Sequence, residues 1–166
     1  MSNKRLGLGL LLIGALSLTA CQRAPEQIDP LSQLQETGEC LDCNLAGADL
    51  RELDLQNARL NRADLSGANL SGMNLQRALL DRANLTGANL SGTNLTEAAL
   101  TEANLVGADL SEANLERVFL RNANLTGASL KGANLAGANL TAADLTDANL
   151  EGVQFDETVM PDGDRR

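Results

Sequence analysis

From Leu45 to Leu150 every fifth residue is leucine, twenty-two times without interruption, and Phe155 continues the register. Two positions before each Leu the residue is usually Ala, with Cys43, Leu53, Met73, Thr93, Val118 and Val153 as the departures. Between the two stands mostly Asn or Asp, so the unit is Ala-Asn/Asp-Leu-x-x, as in ADLSG at 63–67 and ANLTG at 83–87 and 123–127. A helix cannot exploit this spacing: at about 100° per residue, five residues advance each Leu by about 140° and spread the leucines round the whole cylinder. A continuous strand fails as well, because an odd period sends successive leucines to opposite faces. What fits is an extended Ala-x-Leu stretch with both apolar side chains on one side, followed by a bend at the x-x pair that restores the register. The bend composition agrees, with Gly47, Gly67, Gly87, Gly107 and Gly127 second in that pair.

These units are similar to those of the pentapeptide-repeat family, and the resemblance covers about residues 41–155. It implies an all-β fold, a right-handed quadrilateral β-helix with four pentapeptides per coil, in which positions twenty residues apart stack. About five and a half coils at about 4.8 Å each predict a rod roughly 26 Å long, with ladders of Leu and Ala inside and hydrogen bonds between coils. One unit cannot stand alone. Burying a Leu contributes about 1.5–3 kcal/mol, whereas fixing each residue's backbone costs about 1–2 kcal/mol, so stacked coils and capped ends are required. Ile28, Leu31 and Leu34 recur at helical spacing before Gly38, which predicts a short N-terminal capping helix within residues 31–40. The segment 156–166 reads as a C-terminal tail, and Val153, Phe155, Val159 and Met160 as the groups that close the far end.

The first twenty residues follow a different pattern. Lys4 and Arg5 precede an uncharged apolar run from Leu6 to Leu18, thirteen residues long and too short to span a bilayer. It ends in Leu18-Thr19-Ala20-Cys21, which resembles the bacterial lipoprotein box, where the peptide before the Cys is cleaved and the Cys is acylated. The expectation is a signal peptide at 1–20, acylated Cys21 as membrane anchor and a polar tether over 21–30. Gln22, where an Asp would resemble an inner-membrane retention signal, favours the outer membrane facing the periplasm. The mature chain would carry eleven basic and twenty-two acidic residues, a formal charge of −11.

Composition then narrows the chemistry. There is no His, Trp or Tyr and there are only two Phe, so the core is aliphatic, and both the usual general base near neutral pH and the commonest metal ligand are missing. No catalytic residue, cofactor or metal is expected. Cys40 and Cys43 form C-L-D-C at the mouth of the repeat, in the Leu and Ala registers, and many family members look similar at their first coil. Both should point inward across one corner, close enough for a disulfide if the turn brings their Cα atoms within about 7 Å. A structural role, bridged or free, ranks ahead of redox catalysis or metal binding, because no second Cys pair or His completes a zinc site. The Asn/Asp column is expected to hold stacked amides hydrogen-bonded along the coils.

If residues twenty apart stack, one side carries Arg59, Leu79, Ala99, Phe119 and Asn139 at mid-face, while the other three carry almost only Asn and Asp. Its edges hold Arg77, Glu97 and Arg117 in one column and Arg62, Arg82 and Glu102 in another, with Arg121 nearby. Alternating Arg and Glu are ordinary inter-coil ion pairs; a Phe flanked by Arg has the composition of an interface anchor. The candidate partner-binding patch is therefore Leu79, Ala99, Phe119, Arg77, Arg82, Arg117 and Arg121. The best-known members of the family resemble duplex DNA and act on DNA gyrase. Export, and fourteen acidic against eight basic residues in the coil with six of the eight on one side, argue against that role and against nucleic acid. The reading is a non-catalytic lipid-anchored scaffold or interaction module of the envelope, contacting the bilayer through Cys21 and an envelope protein through the patch, with the oligomeric state open. The alternative is a small-molecule or metal-binding protein.

Overall fold

The computed structural model describes residues 29–166, so the signal segment, Cys21 and nearly all of the tether lie outside the described residues. The described chain opens with helix α1, Pro30–Thr37. The Asp29 carboxylate caps it by accepting the Ser32 N–H, Pro30 occupies the first turn, where its missing donor is harmless, and Gly38 ends it in the left-handed region at φ 68°. Gly38 returns its N–H to the Leu34 carbonyl at 2.9 Å. Leu34 is buried in the core cluster, which sets the helix against the first coil.

Beyond α1 the backbone winds in a solenoid of twenty residues per coil, shown by parallel pairings that all join residues twenty apart, such as Leu79 to Ala99 and Ala99 to Phe119. Most mid-face residues of the inner coils are held from both neighbours. The Leu79 N–H donates to Ala58 O below at 2.8 Å, and the Leu80 N–H donates to Ala99 O above at 2.7 Å. Corners break the extended chain every five residues, so pairing is confined to single residues and no longer strand develops; the structure is a β-solenoid built without continuous strands. At almost every corner the N–H of the next Ala-slot residue closes onto the preceding Leu carbonyl, as in Ala68 to Leu65 at 3.0 Å. The second corner residue has positive φ, 63° at Gly67, which is the signature of a type II turn.

The leucines of the repeat line the interior from Leu45 to Leu140 with at most 4% exposure, and Leu145 and Leu150 pack against that cluster near the open end. The column of small residues beside them contains two larger neighbours, Leu53 and Met73, stacked one coil apart. There the regularity lapses: Asp54 does not pair with Asn74 although Asn74 pairs with Asn94, and Glu52 is the only second corner residue between 42 and 157 without a positive φ. The lapse falls where two side chains larger than the usual Ala occupy stacked slots.

The coil is longer than the expected 41–155. It begins at Glu39, paired with Arg59, and continues to Met160, with Val159 paired to Asn139. Thr158, Val159 and Met160 fill the three slots in which Ala, Asn and Leu usually stand. Thr158 is fully buried because its hydroxyl donates to Leu135 O at 2.7 Å. The tail is thus 161–166, not 156–166, and it folds back on the last coil: Arg165 pairs antiparallel with Val159 and the Arg166 N–H reaches Thr158 O at 3.0 Å. That return covers part of an otherwise open edge.

Candidate functional site

Four corners per coil make four faces, distinguished by what their mid-face residues do. On three of them the Asn or Asp does not chiefly bond along the stack, as the sequence led us to expect. Its Oδ1 instead accepts the N–H of the residue two further on, as in Asn84 to Thr86 at 3.2 Å, Asn89 to Ser91 at 3.1 Å and Asn114 to Glu116 at 3.1 Å. Each side chain locks its own corner, which is the physical reason for Asn or Asp in this slot. Among the described residues, amide bonds between mid-face residues of successive coils join Asn84 to Asp64, Asn94 to Asn74 and Asn134 to Asn114.

The fourth face departs from this. Parallel pairings stack Arg59, Leu79, Ala99, Phe119 and Asn139 in one column. Asn139 makes the usual corner bond, to the Thr141 N–H at 3.0 Å. The four residues before it cannot. The Thr101 N–H turns to Asp81 Oδ1 at 3.0 Å, while the N–H groups of Asn61, Asp81 and Arg121 have no acceptor within the described residues. Phe119 is 49% exposed and Leu79 37%, so the apolar groups face outward.

The edges of the same face carry a second peculiarity. Of thirteen non-glycine residues with positive φ, eleven lie on its two edges: Asp42, Arg62, Arg82, Glu102, Asn122 and Ala142 on one, Asn57, Arg77, Glu97, Arg117 and Glu157 on the other. Elsewhere glycine usually occupies this position. A side chain in the left-handed region costs about 1–2 kcal/mol, less for Asn and Asp, so these edges keep charged groups where the backbone prefers Gly.

Those charges pair between coils. Arg77 meets Glu97 at 2.7 Å, Arg82 meets Glu102 at 2.7 Å and Arg62 meets Asp42 at 2.6 Å, all partly exposed. Arg117 reaches Glu97 at 3.8 Å, and Arg121 has no ion pair among the described residues. The hydrogen bond from Arg77 holds the Glu97 carboxyl below its usual range, and Arg82 does the same for Glu102. The seven residues proposed from sequence for a binding patch therefore share one face. Sequence reasoning missed the shallow groove beside it, about 550 Å³, bordered by Leu41, Arg59, Asn61, Arg62, Asp81 and Arg82 among others. Twenty-residue spacing could have found the Arg59–Glu39 and Arg62–Asp42 pairs at its rim.

A family model for pentapeptide repeats matches residues 43–82, 78–117 and 123–160. The chain belongs to the pentapeptide-repeat family. A 64-residue stretch is 76% identical to an uncharacterized protein, slr0516, of Synechocystis, and this pentapeptide-repeat chain spans 39% of that relative's length, with the match covering 39% of its own. Among solved structures it is similar to HetL of Nostoc, a pentapeptide repeat protein involved in heterocyst differentiation regulation, at 38% identity over 77% of this chain and 66% of HetL, TM-score 0.32. It is also similar to Rfr23 of Cyanothece, at 34% identity over 79% of this chain and 97% of that one, TM-score 0.36. The Arabidopsis thylakoid-lumen protein AT2G44920 matches at 31% identity over 70% and 71%, TM-score 0.40.

At the start of the pentapeptide coil, Cys40 and Cys43 are joined in a disulfide with Cα atoms 5.4 Å apart. Cys40 is fully buried and Cys43 half-buried against the core, so the bridge staples the corner on which α1 sits. Among the described residues no group of three His, Cys, Asp or Glu is placed to hold a metal ion, and no helix is long and apolar enough to cross a membrane.

Proposed function

We propose that this pentapeptide-repeat protein is a non-catalytic interaction module of the bacterial envelope, anchored by acyl chains on Cys21 and docking a partner on the face of Leu79, Ala99 and Phe119. Proteins of the family are generally structural or interaction proteins. One observation carries the reading: the fourth face gives up the corner-locking Asn or Asp in four successive coils, where the other faces do so only singly, at Ser129 and Gln154, and its edges hold eleven of the thirteen side chains at positive φ, most of them charged. Each lost corner bond forgoes about 0.5–1.5 kcal/mol. Two stabilising devices are relinquished in one place, and what stands there is an exposed Phe and Leu bordered by arginines, the composition of an interface core.

The anchor rests on the basic start, the apolar run and the Leu-Thr-Ala-Cys ending, and outer-membrane placement facing the periplasm rests on Gln22. More than one acyl chain on Cys21 would make a lasting attachment. We take the coil to be right-handed, as crossovers between parallel strands generally are. The reading involves no cofactor and no nucleic acid, since the fourth face interrupts the acidic surface that mimicry of DNA would need. The groove beside Arg59 is open and bordered by paired charges, unlike the enclosed apolar pockets that hold small molecules.

The test has two arms. Mass spectrometry of the native protein should find an acylated N-terminal Cys21; an unmodified chain retaining Met1 would refute the anchor. Cross-linking in intact envelopes should capture a partner whose yield falls at least tenfold for Leu79→Asn/Phe119→Asn; undiminished capture would move the function to another face.

A further inference from the structure

We infer that the occupant of the fourth face is a second copy of this chain, packed face to face and antiparallel, with the two-fold axis between the coils of Leu79 and Ala99. This rests on the proposed reading of that face as a docking surface and names its partner. The argument is charge complementarity. One edge column reads Arg77, Glu97, Arg117 along successive coils, and the other reads Arg82, Glu102 in the same coils as Arg77 and Glu97. A two-fold interface sets the patch against itself, so its charges must be complementary to their own image.

Few registers are possible, because coils are stacked at a fixed repeat. A two-fold axis along the rod sets one edge against the other in the same coil, placing Arg77 opposite Arg82 and Glu97 opposite Glu102. Arg77, Arg82, Glu97 and Glu102 then all meet their like, and no opposite charges are brought together. An axis across the rod sets each edge against itself, reversed. Centred on Ala99, it puts Arg77 opposite Arg117 and Glu97 opposite Glu97, again like against like.

Shifted by half a coil toward Leu79, the same axis sets Arg77 opposite Glu97 on one edge and Arg82 opposite Glu102 on the other, each twice by symmetry. Leu79 then lies over Ala99, a large group over a small one, and Arg59 lies over the exposed ring of Phe119, a cation on an aromatic face. The half-coil shift the other way keeps only the Glu97–Arg117 pairs and sets Leu79 opposite Asn139. The intramolecular pairs, Arg77–Glu97 at 2.7 Å and Arg82–Glu102 at 2.7 Å, would each close into a four-charge ring. With six coils at about 4.8 Å and a face about 15–20 Å wide including its edge side chains, each copy buries about 500 Å². That is at the lower end for specific association, so the dimer should be weak and reversible.

Sedimentation of the full chain in mild detergent over a concentration series tests this. The wild type should pass from monomer to dimer in the micromolar range. Arg77→Glu and Glu97→Arg should each weaken self-association at least tenfold, because each places like charges in register, and an equimolar mixture of the two should regain wild-type affinity within about threefold. Melting curves of both variants check folding, and both positions already hold side chains in the left-handed region. A wild type monomeric to about 1 mM, an Arg77→Glu variant that dimerises like the wild type, or a mixture that stays monomeric would each overturn the inference. If the wild type stays monomeric while envelope cross-linking still depends on Leu79 and Phe119, the docking face stands and only its partner is wrong. If that cross-linking is indifferent to both residues, the docking face itself is refuted.

Discussion

Three faces of the coil and the fourth are made from the same backbone, the same leucine ladder and the same inter-coil hydrogen bonds, yet they dispose of their surface differently. On the three regular faces each mid-face Asn or Asp serves the fold, by accepting the N–H that opens its own corner. On the fourth, Leu79, Ala99 and Phe119 leave that N–H to solvent or to a neighbour, and charged residues hold corners that glycine would relax. The solenoid tolerates this because its stability comes from the buried ladder. A surface position in a repeat fold is therefore the informative one, since the prevailing residue at the other faces shows what structure alone would choose there.

The comparison breaks most severely if the interior is not the source of stability. Leu100 is fully buried on the fourth face's own coil, and Leu100→Ala should destabilise by about 2–5 kcal/mol in urea unfolding. A loss no larger than that of a surface change would mean that the ladder is not the common support. Next, the fourth face's solution can be installed on a regular face. Asn104→Leu removes the acceptor of the Val106 N–H and should cost about 0.5–1.5 kcal/mol by the same assay. No change would show that the corner bond is not what selects Asn.

A smaller effect of opposite sign is expected on the edge. Arg117 sits at φ 54° with only long ion pairs, and Gly137 holds the same position one coil on. Arg117→Gly should raise stability by up to about 1 kcal/mol, as relief of left-handed strain exceeds the lost pairing. Lower stability would mean that the Arg belongs to the fold. The smallest effect concerns pH. Asp42, Glu97 and Glu102 are held below their ordinary values by hydrogen bonds from arginines, and Asp49 is lowered to about 2 by Arg51. A depressed folded value stabilises above the unfolded one and is lost as pH falls through the folded one. The melting temperature should thus be flat from pH 7 to about 5 and decline below about 4. Substituting Gln for both Glu97 and Glu102 should remove part of that decline.

The ladder was fully legible in the sequence, because a five-residue period admits neither helix nor strand and the buried Leu positions follow from it directly. The stacking of Leu79, Ala99 and Phe119 was legible once twenty residues were taken as one coil. The role of the mid-face Asn was not. An Asn that bonds its neighbour in the stack and one that bonds the N–H two residues on leave the same letter at the same spacing, and only the corner geometry distinguishes them. The end of the coil was misjudged because Thr158-Val159-Met160 keeps the register with none of the usual residues, and a buried Thr is tolerable only through its bond to Leu135 O. The strain along the edges was equally hidden, since an Arg at a corner looks like any surface Arg until its φ is seen.

The central claim is that Leu79 and Phe119 are kept for something other than the fold. Thermal unfolding of Leu79→Asn/Phe119→Asn tests it most directly, because each Asn can form at Asp81 and Arg121 the corner bond that Asn139 already makes to Thr141. The account predicts a melting temperature equal to that of the wild type or higher by a few degrees, at about 2–4 °C per kcal/mol for a chain of this size. A melting temperature several degrees lower would show that the exposed Phe and Leu hold the coil together and that the fourth face is structure after all.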